Sequence, residues 1–244
     1  MLCIFSVLFI LQSCSMMKNS IQNASTLTIL DSAEIPTGQL SKPWHHILPP
    51  SSKSYANYEI RDGRDGRFLF MQAGGADSWL ERDLDSIDPH EYPMMSLMWM
   101  ASSLPATEWE ADAGQSDFAC RIEFIYDYTL NSFNPLYIAR KGLITRFFQG
   151  NPPEMIISYV WSRNLPPNGE FNSPEGDHIV IIPLENEMSP QNRWIETKHD
   201  IAADFDRLID NRNIVLKKIR IRCDTGDTGT TASCAIRSIT LTAD

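Results

Sequence analysis

The chain has 244 residues, 43% of them hydrophobic and 10% aromatic. That composition buries enough apolar surface to offset the entropy of ordering, which excludes an intrinsically disordered protein. Its 31 Asp and Glu against 21 Lys and Arg leave a formal charge of -10, which repels polyanions and excludes nucleic acid as the expected partner.

In chain order, the first element is an apolar run over residues 2–11, broken only by Ser6. About ten residues are too few to span a hydrocarbon core that needs roughly 20 in a helix, so residues 1–14 read as a signal peptide. The run ends in Leu11-Gln12-Ser13-Cys14, which resembles the bacterial lipobox, whose Cys becomes the lipidated first residue of the mature chain. The expectation is a lipoprotein of the cell envelope on the periplasmic face of the outer membrane, or else a secreted protein. The membrane would be touched only through the lipid on Cys14. Residues 15–50 are polar and rich in Ser, Asn and Pro, with apolar content at 27–30 and 44–48, and read as a tether. Residues 51–244 then form a single domain.

Within that domain, short runs with two-residue alternation recur between turn residues, at 55–61, 67–73, 78–85, 94–102, 118–128, 155–162, 178–184, 194–198, 215–223 and 233–241. This pattern predicts a mainly β protein, an antiparallel two-sheet sandwich. Arg61-Asp62-Gly63-Arg64-Asp65-Gly66 contains two Asp-Gly steps, the chemistry of a tight hairpin, and joins the first two runs. One short helix is predicted near 200–210: Asp200 suits its N-cap, and Ile201, Phe205, Leu208 and Ile209 form one apolar stripe. Asp204, Asp206 and Arg207 fall on its other faces and read as solvated. The long stretch 131–154 reads as a loop with room for a function.

After removal of the leader three cysteines remain. Cys120 alternates with Phe118, Ile122 and Phe124 and so faces a core. Cys223 and Cys234 end and begin two strand-like runs around a turn-rich segment. A cross-strand disulfide between them is predicted, with two reduced core thiols as the alternative. No Cys or His spacing matches a zinc site, and no nucleophile elbow, nucleotide loop or metalloprotease motif is present.

The candidate sites are acidic and aromatic. Asp224-Thr225-Gly226 and Asp227-Thr228-Gly229 carry the sequence of aspartic-protease turns, but they are contiguous, whereas the protease needs two turns meeting across a dyad. Asp224 and Asp227 suit hard oxygen ligation of Ca²⁺, the one cofactor weighed, against a plain glycine-rich turn. Glu123 and Asp127 share a strand face about 13 Å apart at about 3.3 Å per residue. That exceeds the roughly 5 to 9.5 Å between glycosidase carboxylates. Asp117, Arg121 and Glu123 form an acidic-basic row on the same strand. Among the Trp residues, Trp99 and Trp161 read as core, and Trp79 and Trp109 as candidates for stacking against a sugar ring.

Over residues 44–241 the chain resembles the bacterial domain-of-unknown-function 3047 family. The matching pieces are Tyr92-Pro93 with Ser96-Leu97-Met98-Trp99, then Asp117-Phe118-Ala119-Cys120-Arg121-Ile122, then Tyr159-Val160-Trp161-Ser162. Trp194, Asp200, Asp204-Phe205 and the run from Asp224 to Gly229 follow in order. Leu97 stands where the family usually has Trp, and Ser116 where it tends to carry a second Asp. The resemblance implies a secreted, jelly-roll-like sandwich similar to carbohydrate-binding modules, and brings no established activity. The expected function is non-catalytic binding of a saccharide or other polar ligand by Asp117, Arg121, Trp79, Trp109, Asp224 and Asp227. The alternatives are a module for envelope assembly that recognises another protein, and a glycoside hydrolase or lyase using acidic residues with Arg121.

Overall fold

A computed structural model describes residues 25–38, 40, 42–50, 52–106, 109–110 (backbone only), 115–128, 155–209 and 213–243. The leader with Cys14, the side chain of Trp109 and the stretch 131–154 lie outside the described residues. The early strands are β1 (Thr26–Asp31), β2 (His45–Ile47), β3 (Asn57–Gly63), β4 (Gly66–Gly74), β5 (Trp79–Ile87) and β6 (Met94–Ser103). Two short strands follow, β7 (Trp109–Glu110) and β8 (Gln115–Ser116), then β9 (Cys120–Tyr128), β10 (Met155–Trp161), β11 (Phe171–Asn172) and β12 (Ile179–Glu185). The chain closes with β13 (Ile195–Asp200), helix α1 (Ile201–Leu208), β14 (Ile214–Arg222) and β15 (Thr231–Thr242).

Among the described residues the protein is mainly β, with two large sheets, a two-stranded ribbon of β7 and β8, one α-helix and a 3-10 turn at Ser32–Glu34. Sheet A has the order β13-β6-β15-β4-β3, with β1 also paired to β15; sheet B has the order β11-β12-β10-β9-β14-β5-β2. All ten predicted runs are strands. The hairpin turns on Arg64-Asp65 between Gly63 and Gly66, which are register partners, and Gly66 takes a φ of 109° that suits glycine. Among the described residues the pairing is antiparallel except between β10 and β12, which run parallel. Their connection, 162–178, crosses back over the sheet and carries β11, as parallel neighbours require. Part of the stretch read as a tether is woven into the sheets: β1 pairs with β15, burying Ile29 and Leu30, and β2 edges sheet B.

Alternation sends one side of each strand inward. Leu69, Met71 and Leu97 from sheet A meet Ile122, Phe124 and Ile221 from sheet B, all fully buried. Trp99 and Trp161 stack edge to face with ring centres 5.3 Å apart, and their indole N–H groups donate to Thr197 Oγ1 and the Asn186 carbonyl. Leu97 belongs to this interior, so the family Trp at its position would be core as well. The predicted Cys223–Cys234 disulfide is absent. β14 and β15 lie in different sheets, so these residues are not ladder partners; they meet across the interior, where Cys120, Cys223 and Cys234 are grouped as free, buried thiols. Asp200 caps α1 by accepting from the Ala203 N–H, as its sequence position predicts. Among the described residues, no helix is long and apolar enough to cross a membrane.

Candidate functional site

Two polar sites stand out. The first lies on the outer face of sheet B, where the ladder sets side chains in rows. Trp79 on β5, Arg222 on β14 and Arg121 on β9 are successive register partners. One row along, Glu81, Arg220 and Glu123 repeat the arrangement with alternating sign. Arg121 Nε pairs with Glu123 Oε1 at 2.8 Å, and Arg220 Nε with Glu81 Oε2 at 2.7 Å. Arg222 pairs with Asp77 at 2.9 Å and with Asp224 Oδ2 at 2.5 Å. The Arg220 guanidinium also lies over the Trp79 ring, 4.6 Å from its centre. Charged residues on an outer sheet face are ordinarily solvated, yet the Arg121 side chain is 0% exposed and that of Glu123 only 3%.

The connection from β14 to β15 is built onto this face by the acidic residues singled out in the sequence. Asp117 accepts from the Asp227 N–H, the Thr228 N–H and the Thr228 hydroxyl, the last at 2.6 Å. Asp224 Oδ1 accepts from the Phe118 N–H at 2.7 Å, and Asp227 Oδ2 from the Ser116 N–H at 3.1 Å. A Cβ on Gly226 would stand 3.0 Å from Asp77 Cβ, which shows how closely this turn is seated. Asp117, Arg121, Asp224 and Trp79 are thus brought together, with Asp227 at the margin. Their carboxylates accept from backbone N–H groups and pair with arginine. Among the described residues, no group of three or more His, Cys, Asp or Glu is placed to hold a metal. Burial pushes the Asp224 carboxyl up to about 8 against the pull of Arg222 and Arg121, with Glu175 and Asp117 adding to the rise.

The second site is open. Where the edges of the two sheets meet α1, a groove of about 530 Å³ is lined by Asn168, Glu170, Lys198, His199, Asp204 and Arg207, among others. Its centre is Asp204, which is buried rather than solvated. Oδ2 lies 2.6 Å from His199 Nε2 and accepts from the Tyr159 hydroxyl at 3.0 Å; Oδ1 accepts from Arg207 Nη2 at 2.8 Å. Arg207 also pairs with Glu170. Burial alone would raise the Asp204 carboxyl, but the bonds from His199, Arg207 and Tyr159 hold it below the usual carboxylate range. Sequence reasoning missed this group. One signal was available: at about 100° per residue, Asp204 falls beside Leu208 at the margin of the apolar stripe, not opposite it. His199 and Tyr159 carried no local signal, because strand pairing and the approach of α1 bring them to Asp204.

Among solved structures, the chain is similar to the Family 11 carbohydrate-binding module of the cellulosomal cellulase Lic26A-Cel5E of Clostridium thermocellum, at 10% identity and a TM-score of 0.46, covering 90% of this chain and 95% of that one. A structure of the Clostridium thermocellum Family 11 module with a beta-1,3-1,4-mixed-linked tetrasaccharide matches at 11% identity and 0.45, over 90% of this chain and 96% of that one. A Family 12 glycoside hydrolase matches at 6% identity and 0.40, over 90% and 97%. A binding module and a hydrolase thus match at similar levels, and neither likeness bears on activity. No curated protein matches the chain. The model of the family described as "Protein of unknown function (DUF3047)" matches residues 42–240, and the chain belongs to that family.

Proposed function

We propose that this protein is a non-catalytic saccharide-binding module, held at the bacterial cell envelope by a lipid on Cys14. The observation that carries the binding reading is the open groove around Asp204. Its volume, about 530 Å³, lies within the range of small-ligand sites. Its lining offers donors from Lys198 and Arg207, acceptors from Glu170 and Asp200, and both from Asn168, the mixture that ring hydroxyls require because each both gives and accepts a hydrogen bond. Asp204 fixes His199 and Arg207 in place, so little side-chain freedom is lost on binding. Binding without cleavage is supported by Glu123, one of the two carboxylates weighed as a glycosidase pair, which is buried and paired with Arg121.

Isothermal titration of the lipid-free chain against neutral polysaccharides, mixed-linked glucan and xylan among them, tests this. At least one should bind, and Lys198→Ala and Arg207→Ala should weaken it. Retention of full affinity by both variants would remove the groove from the reading. Palmitate incorporation in the native host, lost in Cys14→Ala, tests the anchor. One observation favours a second reading: a histidine oriented by a buried carboxylate inside a groove is also the arrangement of a general base. New reducing ends or unsaturated sugars released from the same polysaccharides, and lost in His199→Ala, would make the protein an enzyme.

A further inference from the structure

The face of sheet B contains a second polar site, in which one of the protein's own carboxylates occupies the position of a ligand. Arg121 and Arg222 are register partners, so two guanidinium groups stand side by side. Like charges so placed repel unless they share an anion. Both arginines lie near Glu123 and Asp224, and the carboxylate that hydrogen-bonds the two guanidinium groups together is Glu175. Its Oε1 accepts from Arg121 Nη1 at 2.6 Å and from Arg222 Nη1 at 3.3 Å, and its Oε2 from Arg222 Nη1 at 3.0 Å.

Glu175 differs from the other carboxylates around it. Glu123 sits on the ladder, and Asp117 and Asp224 are tied down by backbone N–H groups, whereas Glu175 comes from the short connection between β11 and β12. Its side chain is 29% exposed, against 0% for Arg121 and 10% for Arg222. Both arginines also have carboxylate partners without it, Arg121 in Glu123 and Arg222 in Asp77. Charge compensation therefore survives if Glu175 swings outward.

Two further donors on this row have nothing to donate to. Among the described residues, Arg121 Nη2 and Trp79 Nε1 are buried without a hydrogen-bond partner. Buried donors are rarely left orphaned, because each gives up its hydration with nothing in return. Trp79, Arg222 and Arg121 lie in one row, so the orphans flank the point where Glu175 enters. A carboxylate alone satisfies the arginine pair. A carboxylate on a ring that also carries hydroxyl oxygens supplies acceptors for the two orphans as well.

We propose that Arg121, Arg222 and Trp79 form a binding subsite for a uronic-acid residue of an acidic saccharide, with Glu175 as a built-in competitor that keeps the subsite closed until the ligand carboxylate displaces it. The choice of a sugar rests on the saccharide-binding reading above; the arginine pair as a carboxylate site does not. The closed latch lowers apparent affinity by the fraction of molecules in which it is open. The salt dependence is that of an arginine–carboxylate contact.

The test uses the lipid-free chain, its Glu175→Ala and Glu175→Gln variants, and three probes: tetragalacturonate, acetate and neutral cellotetraose. Thermal unfolding and titration calorimetry provide the readouts. Either Glu175 variant should bind tetragalacturonate about tenfold or more tighter than the natural chain, as expected when a closed state is removed. The gain should shrink in high salt, vanish when Arg222→Gln is added, and exceed any gain for acetate. A folded Glu175→Gln protein that binds tetragalacturonate no better than the natural chain overturns the proposal. An equal gain for cellotetraose overturns it too, since the carboxylate would then be irrelevant. A gain for acetate alone overturns the uronate assignment. Hydrogen exchange of the natural chain gives a check without mutation: saturating tetragalacturonate should expose the amides of 173–178, and unchanged protection counts against displacement. Groove binding is judged separately with Lys198→Ala and neutral glycans, so either reading can fail while the other stands.

Discussion

The two polar sites are built from different kinds of element, and that decides how open they are. On sheet B, Arg121, Glu123, Arg220 and Arg222 are ladder residues whose spacing the strand register fixes, and the connection carrying Glu175 covers them. At the sheet edges, His199 is next to last in β13, Asp204 sits in the first turn of α1 and Asn168 lies on a connection, so the same kinds of side chain border a groove. A charge on a ladder cannot move away from its neighbours and must be neutralised in place. A charge at the junction of a strand and a helix can be braced from behind and still face a ligand. The closed site has rigidity and the open one access, and this contrast is what mutation should probe.

The largest effect is expected at the closed site. Arg121→Met removes the nearest partner of the buried Glu123 carboxylate, and should cost about 3–5 kcal/mol in urea unfolding. A loss below about 1 kcal/mol would mean that the network is less tightly closed than its burial implies. At the open site, Asp204→Asn removes the charged acceptor shared by His199, Arg207 and Tyr159, and should cost about 2 kcal/mol while also weakening glycan binding. Lost binding with unchanged stability would separate the groove from the fold more sharply than the geometry suggests.

The pH dependence of stability divides the sites again. Glu175 and Asp204 have depressed carboxyl groups in the folded state, Glu175 because Arg121 and Arg222 outweigh the cost of its burial. Their stabilisation is present above the unfolded carboxylate value of about 4 and is lost as the pH falls below it. Asp224 is raised to about 8 in the folded protein, so its contribution is complete below about 4 and declines as the pH rises towards 8. Urea midpoints should therefore fall on both sides of a maximum near about pH 4 to 5, and Asp224→Asn should flatten the alkaline slope alone. The smallest effect is expected for Lys198→Ala, within about 0.5 kcal/mol in stability because its side chain is 67% exposed, with the change appearing in glycan affinity.

Much of the fold was legible in advance because a half-buried strand writes its orientation into alternate residues. Cys120, Ile122, Phe124 and Tyr126 could only face an interior, and Trp99 and Trp161 lie in runs too apolar for a surface. The row of Asp117, Arg121 and Glu123 was visible for the same reason, since alternation put Arg121 and Glu123 on the opposite face. That this face is covered was not visible, because the cover comes from Glu175, over fifty residues away in sequence. That Cys223 and Cys234 lie near each other was legible, but not that they meet across the two sheets, beside Cys120, rather than along one ladder. Adjacent runs suggested adjacent strands, but the chain crosses from one sheet to the other between them. Asp204 was missed because a helical wheel gives the angle of a residue and not the depth of the helix behind it.

Local chemistry along the chain settled the strands, the hairpin at Arg64-Asp65, the capped helix and the two faces of each strand, since these depend on neighbours one to four residues apart. Tertiary structure alone decided which charges meet, which are sealed and where a groove remains. Those outcomes depend on contacts such as Arg121 with Glu175 and Tyr159 with Asp204, whose distance along the chain leaves no periodic trace in the sequence.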